Sequence, residues 1–426
     1  MLYLSKIYLK NVRCFDEVTI PLSNGKEPRG GWTVFVGDNA TGKSALLRAI
    51  AIGLCDEASA AGLLKESDEG YIRRDQLEAR IVISLFDPKD TANKYEITTT
   101  IKRTKKPNDI FADKVRQTTI PEAEEFPWDE IFVSGYGAGR GVMGSGDISG
   151  YSSLDAVYNM FNYSEGLQNP ELVVRRFSNG DPDREGEILD IFKSFAGIER
   201  IQLTNQGIKL DGRWGKNMPL RDLADGYKSS FAWLLDFIGW ALAFDSKIKA
   251  IKDIEGILIL DEIEQHLHAR WQRTVVDDLR KLFPRVQFIA TTHSPLVASS
   301  IGDQDSDPSR DFLYVLKQRE TLGIDVDLHP FMMGWRADQV LTSPAFCLDE
   351  TRSQYIESRL NRYRELLSKS TRSVPEGDEL DSLREFVNEE VPEAAQFEEE
   401  RNLRTELRAL VSELKALQET GNGEND

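Results

Sequence analysis

Gly37-Asp38-Asn39-Ala40-Thr41-Gly42-Lys43-Ser44 is the stretch that decides the fold. It satisfies the spacing G-x-x-x-x-G-K-[ST]. Trp32 to Val36 before it reads as a buried strand, and Ser44 to Leu54 after it reads as a helix. In such a strand–turn–helix, backbone N–H groups of the turn converge on a phosphate and the positive end of the helix dipole adds to them. Lys43 is then placed to reach the β and γ phosphates, and the Ser44 hydroxyl to ligate Mg²⁺. The stretch predicts a site for a nucleoside triphosphate with magnesium.

Upstream, residues 2–22 alternate apolar and polar as two half-buried strands joined by Asn11-Val12-Arg13-Cys14-Phe15. Arg13, one hairpin from the loop, reads equally as a surface charge or a nucleotide contact. Downstream, Ala79–Phe86 and Tyr95–Ile101 read as strands, and Lys102-Arg103-Thr104-Lys105-Lys106 as a basic tip that is either solvated or a nucleic-acid phosphate contact. Residues 107–130 read as a loop. Ile131-Phe132-Val133 reads as a strand entering a second glycine-rich turn, Ser134 to Gly141, which lacks the Lys-Ser pair and reads as a flexible connection between lobes. Residues 150–200 pattern as short helices.

Further on, Gly256-Ile257-Leu258-Ile259-Leu260 is a buried strand ending in Asp261-Glu262. Given the phosphate loop, Asp261 is the expected Mg²⁺ ligand and Glu262 the group that orients or deprotonates the attacking water. A helix is expected over Ala269 to Phe283. The next strand, Val286–Ala290, ends near His293, whose imidazole can donate to a γ-phosphate oxygen. Phe312–Leu316 is the expected last sheet strand. Strands alternating with helices, with polar residues at the strand ends, indicate an α/β sheet with its ligand at those ends.

Composition narrows the function. The chain has 426 residues and a formal net charge of −18, which argues against coating nucleic acid through its whole surface. From Thr351 onward 18 acidic residues face 11 basic ones, so that region carries part of the excess. Cys14, Cys55 and Cys347 lie far apart, without metal-ligand spacing, which points to a reducing compartment. No signal-peptide order is present, and the most apolar run, Phe231 to Phe244, is broken by Asp236 and too short for a bilayer. A cytoplasmic location with no membrane partner is expected. Thr351–Ser368 and 397–418 read as helices, with 370–381 as a linker.

Five motifs in order carry a family resemblance: KIYLKNVRCFDEVTI (6–20), GDNATGKSALL (37–47), LADGYKS (223–229), ILILDEIEQHLHARWQ (257–272) and FIATTHSPL (288–296). Together they resemble the ATP-binding-cassette (ABC) ATPases of the RecF, SMC and OLD-type group, over roughly residues 1–340. The resemblance implies an α/β fold: an ABC-type P-loop ATPase head with an antiparallel β subdomain, a helical signature lobe and a helical C-terminal extension. The implied divisions are 1–149, 150–250, 251–345 and 346–426. Leu223, Ala224, Asp225, Gly226 and Tyr227 match the signature motif, which in that family caps the nucleotide of the opposite subunit, so that two heads sandwich two ATP molecules. Glu264-Gln265-His266 falls in the adjoining interface loop. Ala224 stands where the family usually has Ser, and the Q-loop glutamine is not evident; both bear on hydrolysis rate.

No long coiled-coil arms separate the cassette halves, and Asp325-Val326-Asp327 reads as strand charge rather than a Toprim site. GWRADQVLTSPAF (334–346) and the helical extension are similar to Septu-type ATPase subunits of bacterial anti-phage systems, which act with a separate HNH-type nuclease. The expected function is an ATP-hydrolysing, Mg²⁺-dependent head that forms a homodimer or higher homo-oligomer and lacks a nuclease of its own. The alternative is a RecF-like repair ATPase that binds DNA directly.

Overall fold

The computed structural model describes residues 1–23, 28–66, 70–103, 113–140, 144, 150–164, 166–191, 198–212, 215–302, 310–348, 350–369 and 371–391. Fourteen strands are defined among them. The first seven are β1 (Tyr3–Val12), β2 (Phe15–Pro21), β3 (Trp32–Gly37), β4 (Glu78–Phe86), β5 (Tyr95–Lys102), β6 (Lys114–Ile120) and β7 (Val133–Tyr136). The others are β8 (Ile198–Thr204), β9 (Gly207–Gly212), β10 (Gly215–Pro219), β11 (Glu255–Leu260), β12 (Arg285–Thr291), β13 (Phe312–Gln318) and β14 (Ile324–His329).

They form three sheets. The central one has the order β14-β13-β3-β12-β11-β7, parallel except for the β13–β14 hairpin. Its middle strands, β3, β11 and β12, are almost wholly apolar and buried, as strands covered on both faces must be. The second sheet, β2-β1-β4-β5-β6, is entirely antiparallel and alternates buried and exposed residues along β2. The α/β class with an antiparallel β subdomain is therefore as expected.

The helix Lys43–Leu54 fills the space between these sheets. Leu46, Leu47 and Ile50 are fully buried, each contributing roughly 1.5–3 kcal/mol. Its Gly53 lets β4 approach closely: a Cβ there would lie 2.6 Å from Ile83 Cγ1. Thus the element that carries Lys43 and Ser44 is fixed along its length by the core.

Six expectations need correction. Phe312–Gln318 is not the last sheet strand, because β14 pairs with it at the sheet edge. The strand expected at Ile131–Val133 is Val133–Tyr136, so Ser134 to Tyr136 is strand and not turn. The segment 107–130 is not all loop, because Lys114–Ile120 pairs with β5; only Val115 and Ile120 in that strand are apolar, and none of the strand's residues is fully buried. The lobe read as helical also holds a three-stranded antiparallel sheet, β10-β9-β8, beside the helices Pro170–Ser178 and Pro182–Asp190. The helix predicted over Ala269 to Phe283 is two pieces, Ala269–Gln272 and Val275–Leu282. The linker predicted at 370–381 is largely the helix Val374–Glu390, started by a capping box between Ser373 and Glu376. The helix predicted at 397–418, and Thr104-Lys105-Lys106 of the basic tip, lie outside the described residues.

The chain divides into two compact units, Met1–Cys347 and Leu348–Asp426. In the second, the helices Gln354–Ser368 and Val374–Glu390 meet through Leu360, Tyr363, Leu366, Leu380, Leu383 and Val387. Arg362 donates to both carboxylate oxygens of Glu379, at 3.0 and 2.8 Å.

Candidate active site

Three neighbouring strands end at one place. β3 runs into the phosphate loop, β12 leads to His293, and β11 leads to Asp261 and Glu262. Because β3, β12 and β11 are adjacent and parallel, these ends share one edge of the sheet. Arg13, Asn39, Ala40, Gly42, Lys43, Ser44, Asp261, Glu262 and His293 line a single cavity of about 550 Å³ there.

The loop itself is closed by its own lysine. Lys43 Nζ donates to the carbonyls of Gly37 and Asp38, both at 2.8 Å, and Thr41 Oγ1 donates to Asp38 O at 2.8 Å. Gly42 has φ 87°, and a Cβ there would strike the Cys14 sulfur, so the position is reserved for glycine on two counts. Burial pulls the Lys43 pKa down, opposed by the carboxylates of Asp261, Glu262, Asp38 and Glu264. A buried ammonium satisfied only by two carbonyls has reason to exchange them for phosphate oxygens.

The two acids are held differently. Thr291 Oγ1 donates to Asp261 Oδ1 at 2.6 Å and accepts from the Glu262 N–H at 2.8 Å. Asp261 is buried, whereas Glu262 is partly exposed and sits at φ 48°, a left-handed conformation unusual for glutamate. Glu262 lines the cavity that Lys43 and Ser44 share. Asp261 and Ser44 supply oxygen donors of the kind Mg²⁺ takes, and two protein donors leave most of its positions to phosphates and water. Among the described residues there is no group of three or more His, Cys, Asp or Glu that could hold a metal ion.

His293 is positioned by Glu264. Glu264 Oε1 accepts from the His293 N–H and Oε2 from Thr292 Oγ1, each at 2.6 Å. Ser294 then caps the next short helix through the N–H groups of Leu296 and Val297. Glu264 thus ties the turn after β11 to the end of β12 within its own chain.

Four contributors were not marked in the sequence: Arg73, Arg74, Cys14 and Arg140. Arg73 and Arg74 line the cavity, and Arg73 donates to the carbonyls of Cys14 at 3.0 Å and Leu322 at 2.9 Å. The paired arginines ahead of β4 were the available signal. Arg13, at φ 48°, lays its guanidinium over the Tyr71 ring, 4.6 Å from its centroid. Cys14 also reaches the cavity, its thiol pKa pushed up by burial. Arg140 is fully buried, so the glycine-rich segment is not a loose connection as far as it is described.

The signature residues Leu223 to Tyr227 are not among the residues lining this cavity. Ala224 is the exposed N-cap of the helix Asp225–Phe244 and provides no side-chain cap. Leu223 is buried, and Tyr227 meets Trp271 edge-on with ring centroids 5.1 Å apart. A Cβ on Gly226 would lie 2.5 Å from the His266 carbonyl oxygen. The helix start therefore abuts the turn after β11, and not the phosphate loop of its own chain.

A family model described as "AAA domain, putative AbiEii toxin, Type IV TA system" matches residues 32–299, which span the loop, both acids and His293. The chain belongs to this family. Over 388 residues it is 25% identical to a Septu protein PtuA of Bacillus mycoides (strain KBAB4), covering 91% of this chain and 50% of that protein. It is 30% identical over 150 residues to a Septu protein PtuA of Bacillus thuringiensis, covering 32% and 34% of the two chains. The chain thus spans half or less of the length of the curated relatives it matches. Among solved structures, an Smc head domain with an extended coiled coil from Pyrococcus furiosus is 14% identical with a TM-score of 0.45, covering 77% of this chain and 96% of that one. The Septu likeness expected from the motifs thus returns in the relatives of this AAA-domain chain. Among the described residues, no helix is long and apolar enough to cross a membrane.

Proposed function

We propose that this chain is the Mg²⁺-dependent ATP-hydrolysing head of a two-chain ATPase in anti-phage defence, controlling a separate nuclease. The observation that carries the reading is one cavity bringing together Lys43, Ser44, Asp261, Glu262 and His293 while leaving out residues 223–227. Phosphate oxygens take over the Lys43 hydrogen bonds, and the N–H groups of Asn39 to Ser44 close around the β-phosphate. Ser44 and Asp261 would hold magnesium, which when bound would supply charge neutralisation to the phosphates. Glu262 orients and deprotonates the attacking water, and His293 donates to a γ-phosphate oxygen. The side of the site away from these groups is completed by the Ala224–Tyr227 helix start of a second copy. The defence role and the partner nuclease rest on likeness to the Septu proteins PtuA.

The test is light scattering on Glu262→Gln with and without Mg-ATP, alongside phosphate release by wild type. ATP-dependent pairing of a variant that no longer hydrolyses supports the reading. Unchanged mass together with undiminished hydrolysis would sink it.

One observation favours direct DNA binding. On the antiparallel sheet, Lys10 sits opposite Arg80, and Lys102 opposite Lys114, with Arg116 on the same face. Like charges paired across strands are unfavourable on their own and suit a phosphate backbone. Glu17 pairs with Lys10, and Glu78 with Arg80 and Lys102. Reversal of Lys102 and Lys114 to Glu, read by salt-dependent DNA binding, separates this reading from the first.

A further inference from the structure

Arg140 is the most deeply buried cation in the described head, with 2% of its surface exposed, yet none of its described hydrogen bonds goes to a carboxylate. Its guanidinium instead donates to Gly137 O at 3.1 Å and to three consecutive carbonyls after β11: Asp261 at 2.5 Å, Glu262 at 2.8 Å and Ile263 at 3.1 Å. Burial pushes its pKa down to about 10, partly opposed by the nearby acids Asp261, Glu264 and Glu262. It remains a cation at neutral pH.

The same three residues are held from the other side. The N–H of Asp261 donates to Tyr136 O at 2.9 Å, that of Glu262 to Thr291 Oγ1 at 2.8 Å, and that of Ile263 to Thr291 O at 3.0 Å. Every backbone polar group from Asp261 to Ile263 therefore has a partner, and one side chain provides for all three carbonyls. Between them lies Glu262 at φ 48°. A non-glycine residue in that region costs on the order of 1–3 kcal/mol and persists only where its surroundings over-determine it. A cation lying against the carbonyls of this turn also sits beside the acid pair without consuming either carboxylate, so both side chains stay available to the cavity.

Resting on the proposed ATPase reading, we infer that Arg140 is a positioning residue for hydrolysis. It clamps the 261–263 turn so that Glu262 points at the attacking water, and it does not touch nucleotide.

The test compares the wild-type chain, Glu262→Gln, Arg140→Lys, Arg140→Gln, Arg140→Met and Arg140→Ala, with ATP affinity from a fluorescent nucleotide and kcat from phosphate release. Hydrolysis by wild type and its loss in Glu262→Gln establish the ATPase reading; if wild type does not hydrolyse, that reading fails, and the clamp with it. Given hydrolysis, Arg140→Gln and Arg140→Met are expected to bind ATP within about threefold of wild type while kcat falls about 100-fold, the cost of roughly 1 Å of misplacement. Arg140→Lys, which reaches fewer carbonyls, is expected to fall between, and guanidinium added to Arg140→Ala to recover part of kcat where urea does not. The clamp is overturned if folded variants keep kcat within twofold of wild type, or if ATP affinity falls in parallel with kcat. Loss of fold in all the variants overturns it as well, because Arg140 is then part of the core and not of the catalytic turn.

Discussion

Glu264 holds the main chain of His293: its carboxylate accepts the His293 N–H at 2.6 Å and, through its other oxygen, the Thr292 hydroxyl at the same distance. The turn after β11 and the end of β12 are therefore one unit. Glu264→Gln replaces one acceptor with an NH₂ that faces a donor, and Glu264→Ala leaves two donors unmet. Each charged hydrogen bond lost costs up to roughly 1.5–3 kcal/mol. We expect both variants to retain ATP binding and to lose most of kcat, measured by phosphate release.

Lys43 contributes to binding before chemistry. Its ammonium already lies at the loop, with 2.8 Å bonds to Gly37 O and Asp38 O. Lys43→Ala should weaken ATP binding by about 10- to 100-fold, the worth of one or two charge-assisted bonds. Titration with a fluorescent nucleotide reads this directly; unchanged affinity would remove Lys43 from the site.

Composite sites make a mixing prediction. Ala224 is the exposed N-cap of the signature helix, so Ala224→Arg should block a partner's site while leaving its own loop intact. Mixed with Lys43→Ala, each mixed pair holds one undamaged site, and about a quarter of wild-type hydrolysis should return if pairing is random. Undiminished hydrolysis by Ala224→Arg alone would argue for a site complete in one chain, and no recovery on mixing would contradict the shared site. In the same position, Ala224→Ser is expected to raise the hydrolysis rate by restoring a cap and a hydroxyl.

Asp236 gives a pH prediction. It is buried inside the signature helix, and burial pushes its pKa up to about 6 although Gln168 N–H and Tyr136 Oη–H both donate to it, each at 2.7 Å. The folded chain therefore keeps a proton that the unfolded chain releases from about pH 4, so this contribution to stability falls as pH rises from about 4 to 6. Asp236→Asn lacks that loss. Measured by denaturant melts, the variant should gain on wild type across that window by on the order of 3 kcal/mol. A difference that stays constant with pH would contradict the assignment.

The phosphate loop, Asp261, Glu262 and His293 were legible because each follows an apolar strand and the chemistry lies at the strand's end. What stayed illegible has two physical origins. β6 and β10 are short and polar, and in β8 and β9 the apolar alternation runs for only a few residues, as at Ile208 and Leu210, too briefly to stand out among helices. Arg140 and Glu264 act on backbone groups of other segments, and a backbone carbonyl carries no residue identity. Arg73 belongs to the same class, since its described partners are the carbonyls of Cys14 and Leu322.

The packing of Gly226 against the His266 carbonyl bears on inheritance. In a symmetric pair the turn from Asp261 to His266 supports chemistry in its own site and, through the start of the signature helix, shapes the surface offered to its neighbour. A single codon change in that turn is expressed at both sites of the pair, and in two capacities at each. Variation should therefore accumulate more slowly there than in the phosphate loop's own flanks, and a cell carrying two alleles would assemble pairs in which neither site is wholly of one type.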